Sequence, residues 1–175
     1  LAILGAALAY RTILGDDAAD WPDIGRLGAG PLALFVLVLA CIALALTANV
    51  TTSLLVELIP AFQEIAEEYN KLIKELILDA TGWKKVVAIV SVSVVAPLCE
   101  EALFRGTILQ EQRKVESYTL AIIVNGFLFS VFHMNPVGFV SLWLIGAFFA
   151  HLTLSSGTLW VPIIAHAVFN FFNST

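Results

Sequence analysis

The chain has 175 residues, of which 59% are hydrophobic and 13% charged, with a mean hydropathy of +0.91 and a formal net charge of -5. Water-soluble domains carry about a quarter charged residues, so this composition points to a polytopic membrane protein. The acidic balance argues against nucleic acid as a partner, because that role needs a basic surface. The length suits one compact helical bundle, all-α, forming a single membrane domain over residues 1–175. Leu rather than Met at position 1 reads as a trimmed or processed chain.

A membrane-crossing helix needs about 20 mainly apolar residues. Six candidates appear in chain order: Leu1–Leu14, Pro31–Val56, Val86–Leu109, Thr119–His133, Val137–Leu154 and Leu159–Phe172. The last three are short, which suggests helices that lean on neighbours. Between the second and third, residues 57–80 differ. Phe62, Ile65, Tyr69, Leu72, Ile73, Leu76 and Ile77 recur at helical spacing. Glu64, Glu67, Glu68, Lys71, Lys74 and Glu75 fill the other face. This is an amphipathic helix, either lying in the membrane interface or packed on the bundle as a connector. Pro60 suits its first turn.

Loop charge gives an orientation. Asp16, Asp17, Asp20 and Asp23 outnumber Arg26 before the second helix, whereas Lys71, Lys74, Lys84 and Lys85 cluster in 57–85. Basic residues favour the cytoplasmic side. That places 57–85 and both termini inside, with Arg113 and Lys114 outside against the rule. Cys41 and Cys99 lie in apolar runs and read as small hydrophobes, with no metal-ligand spacing and no disulfide framework.

The chemistry concentrates in "PLCEEALFRG", residues 97–106. Glu101 and Arg105 are four apart on one helix face and can pair. Glu100 points about a quarter turn away and has no partner in its own helix. It lies about 22 Å from Lys85 and about 20 Å from Arg113 at 1.5 Å per residue, near mid-membrane. Pro97 removes a backbone donor just before the pair. Ionisable groups at such depth are functional-site candidates by default, the plainer reading being a structural ion cluster.

Later helices carry matching polar positions. Asn125, Phe129 and His133 share one face, and His166 and Asn170 are one turn apart. Counting crossings brings His133, His166 and Asn170 toward Glu100 in one cavity slightly inside the midplane. His151 has no polar neighbour at helical spacing and reads as structural, while Asn49 and Asn125 read as interhelical hydrogen-bonding residues.

"EEALFR", "FSVFH" and "HAVFN" together resemble the EExxxR, FxxxH and HxxxN motifs of the CAAX-protease and bacteriocin-processing family of intramembrane glutamic endopeptidases. The resemblance covers roughly residues 86–172, which makes that stretch the catalytic core. It implies that Glu100 activates water and that His133 helps hold it. It further implies that His166 and Asn170 stabilise the oxyanion and that Glu101 and Arg105 support them. No metal or other cofactor is implied. The implied substrate is a peptide or protein, prenylated in the CAAX-type branch. The implied location is a bacterial or archaeal plasma membrane, with the active site toward the cytosol.

Three rivals stand beside this reading. A zinc protease would use the same Glu and His residues, although no HExxH motif is present. A serine protease would use the "LSSG" turn, but Ser156 and His166 are about 15 Å apart along a helix. A non-catalytic immunity or scaffold protein, or a proton-coupled carrier, would keep the fold without needing His133 and Asn170 beside Glu100.

Overall fold

The structure, a computed structural model, describes residues 2–15, 20–27, 30–75 and 79–174. Among these the chain is helical, in seven helices: α1 (Ala2–Leu14), α2 (Pro31–Leu58), α3 (Pro60–Ile73), α4 (Trp83–Arg113), α5 (Tyr118–Phe132), α6 (Phe139–Ser156) and α7 (Trp160–Ser174). The protein is a helical membrane bundle, as its composition requires. Helices α2, α4 and α6 are long and apolar enough to cross a bilayer unaided, and α5 is a shorter apolar helix. A 15-residue helix rises only about 22 Å, less than the roughly 30 Å hydrocarbon core. The short α5 and α7 therefore rely on packing between longer neighbours.

Proline punctuates the chain where expected. Pro31 and Pro60 each occupy the first turn of a helix, where the missing N–H is no loss. Ile59, in extended conformation (φ -120°, ψ 97°), separates α2 from α3. The break falls after Leu58, so Glu57 ends the membrane helix instead of starting the amphipathic one. The amphipathic helix is described to Ile73, and Leu76 and Ile77 of the expected stripe lie outside the described residues.

Two small cores organise the bundle. Leu37, Cys41 and Ala45 recur every four residues on the buried side of α2. Leu37 and Cys41 pack with Ile145 and Phe149 of α6 and Val161 and Ala165 of α7. Leu109, Ala121 and Ala150 join α4, α5 and α6. Where α5 crosses α6, two glycines meet. A Cβ on Gly126 would stand 2.5 Å from the Ala147 nitrogen, and one on Gly146 would stand 3.0 Å from the Gly126 Cα. Small residues let membrane helices approach this closely.

At the far end of the bundle from His133, residues 20–27 are stitched to the α6–α7 turn. The Asp23 N–H donates to the Gly157 carbonyl at 2.9 Å, and the Leu159 N–H to the Asp23 carbonyl at 3.3 Å. The Thr158 hydroxyl donates to the Arg26 carbonyl and the Trp160 indole to the Ile24 carbonyl. Gly157 takes a left-handed conformation (φ 70°) that closes α6.

Candidate active site

Helix α4 carries the site, and two π-helical segments shape it: Ser91–Val95 and Phe104–Ile108. π-bulges commonly mark functional positions. The first has a local cause. The Ala96 N–H reaches back five residues to the Ser91 carbonyl. In that register the donor owed to the Val92 carbonyl is residue 97, and proline has none. The Asn170 side-chain amide supplies it from α7, at 3.0 Å. The second segment turns its own carbonyls to side chains: Phe104 accepts from Asn125 at 3.0 Å and Arg105 from Gln110 at 2.8 Å.

Glu101 and Arg105 pair as their spacing predicts. Both are fully buried, with Nη1 2.9 Å from Oε1. The second arm of the guanidinium donates to the Gly146 carbonyl at 2.8 Å. Its Cζ stands 4.6 Å from the centre of the Phe129 ring and 5.5 Å from that of Phe149. With Phe104 at 5.8 Å, the charge is thus met by a carboxylate, a carbonyl dipole and three aromatic rings, which together offset desolvation.

Glu101 has a second partner. His166, 3% exposed on α7, places Nδ1 2.8 Å from the same Oε1. A carboxylate oxygen only accepts, so Nδ1 carries the hydrogen, and Nε2 faces the other way. There it lies 3.7 Å from Glu100 Oε2. The His166 ring stacks on Phe149, with centroids 4.9 Å apart and planes at 29°.

His133 ends α5 in an analogous pose. Its Nδ1 is 2.7 Å from the Phe129 carbonyl, which again only accepts, so this nitrogen is the donor. Nε2 is left toward Glu100 Oε2, also at 3.7 Å. Glu100 Oε2 is therefore equidistant from two imidazole nitrogens, buried, and without a hydrogen-bond partner. Three helices bring Glu100, Glu101, Arg105, His133 and His166 together. Asn170 lies one turn beyond His166 and is held by Val92.

The other polar positions fall elsewhere. Asn125 is fully buried and bonds Phe104 and Gln112, bridging α5 to α4. His151 is exposed and meets the Tyr118 hydroxyl at 3.1 Å. Cys99 is buried, as a small hydrophobe would be. A cavity of about 210 Å³ lined by Asp20, Trp21, Gln110, Thr153 and Gly157 lies beside the stitched loop, and none of the five clustered side chains lines it. Three contributors carry no sequence signal: the Val92 and Gly146 carbonyls, which are backbone groups, and Phe149, one aromatic among twelve phenylalanines.

Residues 82–172, more than half of the chain and all of the clustered side chains, match the family model for type II CAAX prenyl endopeptidase Rce1-like proteins. A Bacillus subtilis (strain 168) protein named "Putative membrane peptidase YdiL" is 30% identical over 98 residues, covering 56% of this chain. The aligned stretch spans 40% of that relative's length. No solved structure matches. The family match starts one residue before α4 and takes in every side chain that surrounds the buried Glu100 oxygen, and the chain accordingly belongs to the Rce1-like family of membrane endopeptidases.

Proposed function

We propose that the protein is an intramembrane endopeptidase that hydrolyses a peptide bond with water activated by Glu100. The observation that carries this reading is the 3.7 Å separation between Glu100 Oε2 and His133 Nε2. That is too long for a direct hydrogen bond and suits two acceptors sharing one water. With Nδ1–H committed to the Phe129 carbonyl, neutral His133 presents a lone pair at Nε2. A water donating one hydrogen to each group turns its own lone pair toward a substrate carbonyl.

Glu100 then takes the water proton, and the hydroxide adds to the carbonyl carbon. The nascent oxyanion meets the Nε2 edge of His166; with Nδ1–H held by Glu101, that edge donates only when Nε2 also carries a proton. Asn170, one turn along α7, is the second donor. Such donors are worth about 3–4 kcal/mol each in acyl-transfer enzymes. Protonated Glu100 or His133 passes a proton to the amine as the C–N bond breaks. Glu101 and Arg105 act on His166 by fixing the orientation of its ring. Membership of the family supports a CAAX-type substrate, and the lysine bias of residues 57–85 supports an approach from the cytosolic side.

Cleavage assays in detergent, with a farnesylated CAAX peptide beside its unprenylated counterpart, test activity and substrate class together. Glu100→Gln and His133→Ala should abolish cleavage with the fold retained, and full activity in Glu100→Gln would sink the glutamate mechanism. One geometric fact keeps a zinc reading in the experiment: two imidazole Nε2 atoms face one carboxylate oxygen. Against it, no three His, Cys, Asp or Glu side chains among the described residues are placed to hold one ion. Activity should therefore survive a tight chelator. Loss on chelation with recovery on adding zinc would instead establish the metal mechanism.

A further inference from the structure

Helix α3 has an amphipathic sequence and no buried residue. Its apolar stripe is open: Ile65 is 39% exposed, Tyr69 49% and Leu72 51%. A connector packed on the bundle would bury that stripe, and the bundle leaves Phe62 and Ile73 half-buried and the other three exposed. Both flanks of α3 are fixed by helices that span the membrane. Leu58, 74% exposed, ends α2 with Ile59 alone between it and α3, and Trp83, 72% exposed, opens α4 beside Lys84 and Lys85. An exposed Trp next to lysines at the end of a spanning helix is the pattern of a membrane–water boundary. The joint at Ile59 ends the α2 direction, and the exposed apolar surface of Leu54, Leu58 and Ile59 runs on in sequence into that of α3.

We propose that α3 lies along the bilayer surface, with Ile65, Tyr69 and Leu72 set among the acyl chains and Glu64, Glu68 and Lys71 in water. The occupant of the open stripe is lipid. The charge of the helix gives no preference for anionic lipid: Glu64, Glu67 and Glu68 outnumber Lys71. A polar face with an acidic excess gains nothing from anionic headgroups, unlike the basic faces of helices recruited by surface potential. Apolar partition holds α3 in place, so its seating is the same on neutral and anionic bilayers.

Spin labels on the whole protein in nanodiscs test this without reference to catalysis. Cysteine replaces Ile65, Tyr69 or Leu72 on one face and Glu64, Glu68 or Lys71 on the other, all exposed positions. Buried Cys41 and Cys99 are checked for labelling in the parent protein. The expected result is a several-fold higher ratio of oxygen to nickel-chelate accessibility on the first face, identical in phosphatidylcholine and in phosphatidylglycerol-containing discs. Equal nickel accessibility on both faces would overturn the proposal in favour of a solvated helix. Immobilised labels shielded from both reagents would overturn it in favour of a protein partner. A difference between faces that appears only with anionic lipid would overturn the claim that apolar partition alone seats the helix.

Discussion

Glu101 Oε1 accepts from His166 Nδ1 at 2.8 Å and from Arg105 Nη1 at 2.9 Å, so one buried oxygen joins residues 65 positions apart and sets the ring that faces Glu100. Glu101→Ala removes the acceptor from both donors at once and leaves a buried guanidinium without its carboxylate. Breaking a buried pair in this way costs about 3–5 kcal/mol. The expected outcome is a clear drop in the unfolding midpoint in detergent, accompanied by loss of cleavage. An unchanged midpoint would show that the Arg105 charge is satisfied by Gly146 and the aromatic rings alone.

Its neighbour should behave in the opposite way. Glu100 carries its carboxylate into the bundle with two imidazoles no closer than 3.7 Å, and a buried charge without a close partner destabilises the fold. Glu100→Gln keeps the shape and removes the charge, so the unfolding midpoint should hold or rise. Cleavage should fall by about 10²-fold or more, as expected for loss of a general base. Adjacent glutamates that both lose activity but have opposed effects on stability would separate the catalytic carboxylate from the positioning one. Measuring both quantities on both variants makes the comparison.

Helix crossing offers a separate test. A Cβ at position 126 would stand 2.5 Å from the Ala147 nitrogen and 2.6 Å from the Trp143 carbonyl. Both neighbours are backbone and cannot rotate aside. Gly126→Ala therefore pushes α5 from α6, at a cost of about 1–3 kcal/mol for overpacking. The displacement also pulls on the Gly146 carbonyl that holds Arg105. Reduced thermal stability and reduced activity should appear together, whereas Gly5→Ala, with nothing within 4 Å of its added Cβ, should lose neither through packing.

Much of this was legible in the sequence because period and polarity are local. Every apolar segment became a helix within about four residues of its expected ends, and the Glu101–Arg105 pair followed from spacing alone. The unequal surroundings of the two glutamates were likewise legible, since only one has a partner four residues on. The placement of His166 was not. Sequence reasoning grouped it with Glu100, and its direct hydrogen bond goes to Glu101. A one-residue difference on α4 turns a side chain by about 100°, and helix position alone does not fix which of two adjacent carboxylates a distant ring will meet. The Val92–Asn170 bond was hidden for another reason: its acceptor is a carbonyl freed by a π-helical register.

That register yields the last prediction. Pro97 withholds the N–H that would serve the Val92 carbonyl, and Asn170 fills the gap. Pro97→Ala restores a backbone donor that competes with Asn170. It gives the N–H to Val92 in the π register, or to Ser93 if the segment tightens to an α-helix. In either case the chain gains a backbone hydrogen bond and loses a proline from a helix interior, so stability should hold or rise. Release of Asn170 should lower cleavage if its amide must stay in place for the oxyanion. Asn170→Ala alone should lower activity and leave the Val92 carbonyl unserved, at about 1–3 kcal/mol. The double variant should be no less active than Asn170→Ala and more stable, because the new N–H serves the carbonyl that Asn170 no longer reaches. Additive losses in activity would mean that Pro97 acts through something other than Asn170.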